Sequence, residues 1–155
     1  MLADLHIHTT FSDGVYTPEK IIAQALVSGI TALAITDHDN IQAYDRAARA
    51  VHSRHLGLEL IRGGEIDTDY KGKDVHVLGY HFDPENRDLL QAMTWTRIGR
   101  IQRVQKMVEK IDALGYPLTF KEVLEEAQGA KSLGRPHIAR ALVKKGLFPG
   151  TQAVF

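Results

Sequence analysis

Hydrophobic positions in the first half of the chain come in short runs, separated by stretches with helical spacing. Residues 3–7 alternate, which predicts a strand with Leu5 and Ile7 turned to a core and His6 on the opposite face. Thr17-Pro18-Glu19 has the chemistry of a helix start: a capping threonine, a proline in the first turn and an acid near the positive end. That helix carries Ile21, Ile22, Ala25 and Leu26 and stops at Gly29. Residues 30–35 are almost wholly apolar, as in a parallel strand buried on both faces. A second helix, about residues 40–55, turns Ala43, Ala47, Ala50 and Val51 inward, and residues 58–62 form a third strand. Strand and helix in alternation predict a parallel α/β layout with right-handed crossovers.

The pattern changes after residue 62. Residues 65–70 and 74–80 each alternate around Lys71-Gly72-Lys73, which predicts a hairpin whose return strand carries His76. A long amphipathic helix follows over residues 85–114, with Ile98, Ile101, Val104, Val108 and Ile111 at three- and four-residue spacing. Thr119 and Glu122 have the spacing of a capping box for a helix over Val123 and Leu124. A last helix follows Pro136 through Ile138, Leu142 and Val143 and closes at Gly146, and residues 151–155 read as the start of another. The chain therefore divides into a strand-rich part, residues 1–82, a helical part, residues 83–150, and a short return, residues 151–155.

Composition narrows the function. A chain of 155 residues is long enough for one domain with a real core. With 19 basic and 19 acidic residues its formal net charge is zero, which argues against a broad footprint on duplex DNA or an anionic membrane. A nucleotide-sized partner needs only a local cluster of donors. There is no cysteine, which excludes disulfides and thiolate metal sites and fits a reducing compartment. No apolar run is long enough to span a bilayer, and Asp4 comes too early for a secretory signal, so a cytoplasmic location is expected.

Candidate chemistry recurs at the strand ends. His6 and His8, at i and i+2, aim two imidazoles at one point, and Asp13 follows in a Ser-Asp-Gly turn. Asp37-His38-Asp39 ends the second apolar run, Glu65 follows the third, and His76 lies in the hairpin. Imidazole with carboxylate suits zinc, manganese or iron. In parallel α/β folds such residues collect beyond the carboxyl ends of the strands. Clustered carboxylates repel one another unless cations join them, and clustered metals supply an activated water and a clamp for a phosphate ester. Asp37 and Asp39 are expected to orient His38 through its second ring nitrogen. Glu65, with two oxygens, suits a bridge between two metals. Asp67 and Asp69 read as hairpin surface, His52 and His55 as solvated residues at a helix end, and His81 as ambiguous. Arg97, Arg100 and Arg103 lie on one helix face and read as solvated. Gly134-Arg135-Pro136-His137, at a helix start, offers donors for a phosphate.

Four strings carry a resemblance: residues 4–14 (DLHIHTTFSDG), 34–39 (AITDHD), 63–66 (GGEI) and 75–80 (VHVLGY). In this order and spacing they resemble the polymerase and histidinol phosphatase (PHP) superfamily, and the helical part with Gly134-Arg135-Pro136-His137 looks like the insertion of its 3',5'-nucleotide bisphosphate phosphatase subgroup, some members of which trim RNA from the 5' end. The resemblance implies a distorted (β/α)7 barrel, here incomplete, with a helical insertion and up to three divalent metals, manganese foremost, iron or zinc otherwise. It implies that His6, His8 and Glu65 share one metal, that Glu65 and His76 hold a second, and that Asp13 and His38 hold a third. Glu65, His38 and Asp13 would serve catalysis, and Arg135 and His137 would touch substrate phosphate. Relatives add a histidine from a His-Pro segment and a later Asp-x-His pair that this chain lacks, so it reads as the first half of a longer polypeptide or as a degenerate descendant. The implied reaction is hydrolysis of a phosphate monoester of a small nucleotide by metal-activated water. Alternatives are a histidinol-phosphate phosphatase, an RNA 5'-end exonuclease acting on short RNA, and a non-catalytic metal- or nucleotide-binding module. An open barrel edge would invite self-association.

Overall fold

The computed structural model describes residues 2–53 and 57–155. Its element order is β1 (Ala3–Ile7), α1 (Pro18–Val27), β2 (Ala32–Ile35), α2 (Ala43–Ser53), β3 (Glu59–Tyr70), β4 (Lys73–Tyr80), α3 (Arg87–Ala113), α4 (Phe120–Ala127) and α5 (Arg135–Lys144), closed by a 3-10 turn at Thr151–Ala153. The sheet runs β1-β2-β3-β4, parallel between β1 and β2 and between β2 and β3, antiparallel between β3 and β4. This is a mixed α/β fold with a curled half-barrel sheet.

Two expected strands are one. Residues 58–62 and 65–70 belong to the single strand β3, whose first part pairs with β2 and whose second part pairs with β4. Gly63 and Gly64 mark the handover, and a Cβ on Gly64 would meet Ile41 Cγ2 at 3.3 Å and Phe82 Cζ at 3.4 Å, so the loop after β2 and the chain after β4 close tightly over it. Curling brings the sheet edges together: Tyr80 Oη on β4 donates to the Leu5 carbonyl on β1 at 2.7 Å. Three strand spacings in a flat sheet would hold those edges about 14 Å apart.

The helix starts follow from local chemistry. Thr17 Oγ1 accepts from the Lys20 N–H at 3.4 Å with Pro18 opening α1. The Thr119–Glu122 capping box forms reciprocally, Glu122 N–H donating to Thr119 Oγ1 and Thr119 N–H to Glu122 Oε2. One core lies between α1, α2 and the sheet, built from Ile22, Ala25, Leu33, Ile35, Ala43, Ala47, Val51 and Leu58. The other joins α3, α4 and α5 through Val104, Val108, Leu118, Val123, Ile138 and Leu142.

Three expectations need correction. Leu5 is 40% exposed, because β1 is an edge strand and only Ile7 reaches the core. Ile98 and Ile101 on α3 are exposed, and the buried stripe runs instead through Met93, Arg100, Val104 and Val108. Residues 151–155 make a short 3-10 turn rather than opening an α-helix. His52 is exposed near the end of α2, its Nδ1 2.7 Å from the Ala48 carbonyl, whereas His55 lies outside the described residues. No described helix is long and apolar enough to cross a membrane.

Candidate metal centre

Strand register builds the site. After β2 ends at Ile35, the chain continues alongside β3 and makes an isolated parallel bridge between His38 and Glu65. In the hairpin Glu65 pairs with Leu78 and Asp67 with His76, so Glu65, Asp67 and His76 share one face. The β1 end adds His6 and His8. A tight turn over residues 9–14 then folds back, and a Cβ on Gly14 would lie 2.3 Å from the His8 carbonyl oxygen, a position that only glycine fills without moving the backbone.

Glu65, 3% exposed, stands at the centre and divides its two oxygens. Oε2 lies 2.8 Å from His6 Nε2 and 3.1 Å from His8 Nε2. Oε1 lies 2.5 Å from His76 Nδ1 and 3.7 Å from His38 Nδ1. Asp13 closes the third side, with Oδ1 3.7 Å from His8 Nδ1 and Oδ2 3.7 Å from His38 Nε2. The His8 and His38 rings stack, with centroids 4.5 Å apart. Among the described residues, atoms able to ligate a metal fall into three groups, each within 4.8 Å: His6, His8 and Glu65; His38, Glu65, Asp67 and His76; and His8, Asp13 and His38. Burial pushes the Glu65 carboxyl up, but the His6 hydrogen bond and the neighbouring imidazoles outweigh it, leaving the group below its ordinary range. Imidazole nitrogens and carboxylate oxygens converge here, a donor set that fits divalent metals.

All six expected ligands meet here: His6, His8, Asp13, His38, Glu65 and His76. Asp67, expected on the hairpin surface, is 9% exposed and joins them because it follows Glu65 by two residues on the same strand face. Its period-two position was the available signal. Asp37 and Asp39 do not orient His38 as expected. The Asp37 carboxylate accepts from Thr9 N–H at 2.7 Å, Thr9 Oγ1 at 2.6 Å and Ser12 Oγ at 2.5 Å, tying the β1 turn to the β2 loop. Asp39, at φ 48, accepts from Asp67 N–H at 3.2 Å and Arg100 Nε at 3.1 Å. Burial pushes both carboxyls upward. The partner of His38 is Asp67, whose Oδ1 lies 3.1 Å from His38 Nδ1.

Arg97 and Arg100 also depart from the solvated face expected of them. Arg97 Nη1 donates to the Asp39 carbonyl at 2.7 Å, and Arg100, 6% exposed, pairs with Asp39 and Asp67. Two buried carboxylates without a cation would be costly, so the helix face that meets them carries arginine. Arg103 stays half exposed, 3.5 Å from Asp74.

Beside the donor cluster opens a cleft of about 280 Å3, lined by Asp13, His38, His76, Arg103, Met107 and Arg135 among others. Arg135 is exposed at its mouth. His137 is 1% exposed and accepts the Gly134 N–H on Nδ1 at 3.1 Å, so it caps α5 from within. Burial, with Arg140 nearby, lowers its pKa. His81 is exposed and belongs to none of the three donor groups.

Comparison with known proteins agrees with this geometry. The PHP domain model matches residues 4–132. The chain is 34% identical over 143 residues to a 5'-3' exoribonuclease of Haemophilus influenzae, covering 92% of this chain and 51% of that protein. It is 31% identical over 152 residues to a 3',5'-nucleoside bisphosphate phosphatase of Chromobacterium violaceum, covering 98% of this chain and 53% of the relative. A solved Chromobacterium violaceum structure described as an amidohydrolase with bound sulfate and no metal superposes with a TM-score of 0.91 at 30% identity, over 100% of this chain and 54% of the other. A Bifidobacterium adolescentis structure gives 0.88 at 36% identity, over 97% and 52%. The chain thus spans about half the length of the curated relatives it matches. With the motif spacing, the half-barrel sheet and the domain match in agreement, this chain belongs to the PHP domain family.

Proposed function

We propose that this chain carries the metal site of a phosphoesterase that hydrolyses a phosphate monoester of a small nucleotide, a 3',5'-nucleotide bisphosphate being the substrate best supported. The observation that carries the reading is the division of Glu65 between His6 and His8 on one oxygen and His76 on the other. In this reading His6, His8 and Glu65 hold one cation, Glu65 and His76 a second, and Asp13 and His38 a third. Divalent metals bound there, manganese foremost and iron or zinc otherwise, would activate water and neutralise phosphoryl charge.

The chain's own residues supply the rest. Arg103 and Arg135 flank the cleft, where a second phosphate would find charge-assisted donors. Val104, Met107, Leu133 and Pro136 offer apolar surface to a nucleoside between them. His137 supports the start of α5, where Arg135 stands, through its bond to Gly134 rather than by meeting phosphate itself. The relative named as a bisphosphate phosphatase and the related structure holding sulfate, a tetrahedral anion like phosphate, support the same direction.

The second reading, 5'-end trimming of short RNA, is favoured by the relative named as an exoribonuclease. Zero net charge favours a short partner over duplex DNA. The exposed apolar side chains of the edge strands, Leu5, Val75 and Val77, support self-association or covering of the open sheet. Phosphate release from a 3',5'-bisphosphate nucleotide, measured beside the products from a 5'-labelled RNA oligonucleotide, separates the two readings. Release from the nucleotide with the oligonucleotide left intact supports the first. Stepwise shortening supports the second, and neither product from the manganese-loaded protein contradicts both.

A further inference from the structure

Arg100 lies in the middle of α3, nearly buried, and reaches three separate parts of the fold. Nε donates to Asp39 Oδ2 in the loop after β2 at 3.1 Å, Nη1 donates to the Leu133 carbonyl before α5 at 3.1 Å, and Nη2 pairs with Asp67 Oδ2 on β3. Arg100 thus holds Asp67 by Oδ2, and the other oxygen, Oδ1, lies 3.1 Å from His38 Nδ1. Glu65 Oε1 is the more distant acceptor, at 3.7 Å from the same nitrogen.

An imidazole that donates from Nδ1 keeps its lone pair on Nε2. His38 Nε2 points to the third donor group, 3.7 Å from Asp13 Oδ2. We infer that Arg100 is a positioning residue: it pins Asp67 as the hydrogen-bond acceptor of His38 Nδ1–H, fixes the tautomer that leaves Nε2 free for a cation shared with Asp13, and ties this choice to the segment leading into α5 through Leu133. The inference rests on the reading of His38 as a metal ligand. Asp67 is thereby the orienting carboxylate of His38 rather than a ligand in its own right. Its Oδ2 faces the guanidinium, and its Oδ1 is 3.6 Å from His76 Nε2, farther than from His38.

The geometry asks for arginine in particular. Three acceptors lie in three directions around one planar fork, which an ammonium on a flexible stem does not reproduce. Gly134, next to Leu133, reinforces the link, since a Cβ there would stand 3.1 Å from Asp13 Oδ2 and 3.6 Å from Arg100 Nη1. Substrate-side loop and metal-side histidine therefore move against the same side chain.

Long-range proton–nitrogen NMR of the His38 ring, in the wild-type chain at about pH 9 where imidazoles are neutral, reads the tautomer directly. The expected result is the proton on Nδ1. A proton on Nε2 overturns the inference, whatever any variant does. Zinc titration by calorimetry of the wild type, Arg100→Lys and Asp67→Ala supplies the second readout. Loss of an orienting partner should weaken zinc binding at the His38 position about 10–100-fold in both variants. Unchanged affinity in both, with zinc bound normally by the wild type, overturns the positioning roles of Arg100 and Asp67 and leaves the metal reading standing. A wild-type chain that binds no zinc overturns the metal reading and the role built on it.

Discussion

Glu65 on β3 and His76 on β4 approach to 2.5 Å although they are not direct partners across the hairpin, where Glu65 faces Leu78 and Asp67 faces His76. The diagonal contact leaves Glu65 Oε2 free to meet His6 and His8 on the far side. One carboxylate thereby joins β1, β3 and β4. Replacing Glu65 by glutamine keeps the shape but turns one oxygen into an NH2 group, which cannot ligate. We expect Glu65→Gln to bind at least one metal equivalent fewer than wild type, measured by inductively coupled plasma mass spectrometry after equilibration with manganese. Equal metal content would remove Glu65 from the bridging position.

The Asp37 carboxylate supports the site without touching the cluster. It accepts three hydrogen bonds from Thr9 and Ser12 while fully buried. Asp37→Ala strands those donors, and each unsatisfied group costs about 1–3 kcal/mol. A loss of about 3–5 kcal/mol in urea unfolding is expected, with Asp37→Asn losing less because it keeps an acceptor. A change below about 1 kcal/mol would mean that the β1 turn relaxes and water replaces Asp37.

Arg135 and His137 separate by exposure and so by effect. Arg135→Met should weaken phosphate binding to the metal-loaded protein about 10-fold, the equivalent of about 1.4 kcal/mol, and leave stability within about 0.5 kcal/mol. His137→Ala removes the acceptor for the Gly134 N–H and should cost about 1–2 kcal/mol of stability. Calorimetric phosphate binding and thermal unfolding of both variants distinguish the two roles. The reverse pattern would make His137 the phosphate contact.

Asp67 sets an acid limit on the metal-free fold. Burial raises its carboxyl, but the His38 hydrogen bond and the Arg100 charge outweigh this and hold it well below the ordinary value of 3.8. A depressed folded-state pKa gives stability that is present above the unfolded value and is lost as pH falls through the folded one. Unfolding free energy should therefore fall below about pH 4, and the fall should be shallower in Asp67→Asn. Parallel acid profiles for wild type and variant would deny Asp67 this role.

Much of the donor cluster was legible because its candidate ligands obey simple periodicities. His6 and His8 share a strand face at i and i+2, and His38, Glu65 and His76 follow apolar runs whose strand character is plain. Asp67 obeys the same rule two residues after Glu65, but an acidic residue near a hairpin tip is more often solvated, and burial depends on what packs above it. That partner is Arg100, 33 residues away in sequence and set into a stripe otherwise defined by Met93, Val104 and Val108. Helical periodicity places Arg100 on that stripe, but nothing local says that two carboxylates await it. The choice between exposed Ile98 and Ile101 and buried Arg100 is made by tertiary electrostatics, which hydrophobic patterning does not record.

Metal content per chain tests the central claim most directly. The purified protein, its intact mass verified, is equilibrated with manganese, freed of excess and measured by inductively coupled plasma mass spectrometry. Two or three equivalents in the wild type, reduced in Glu65→Gln, is the result that the three donor groups around Glu65 predict. No bound manganese, and none with zinc or iron in its place, would contradict the account of this cluster as a metal centre.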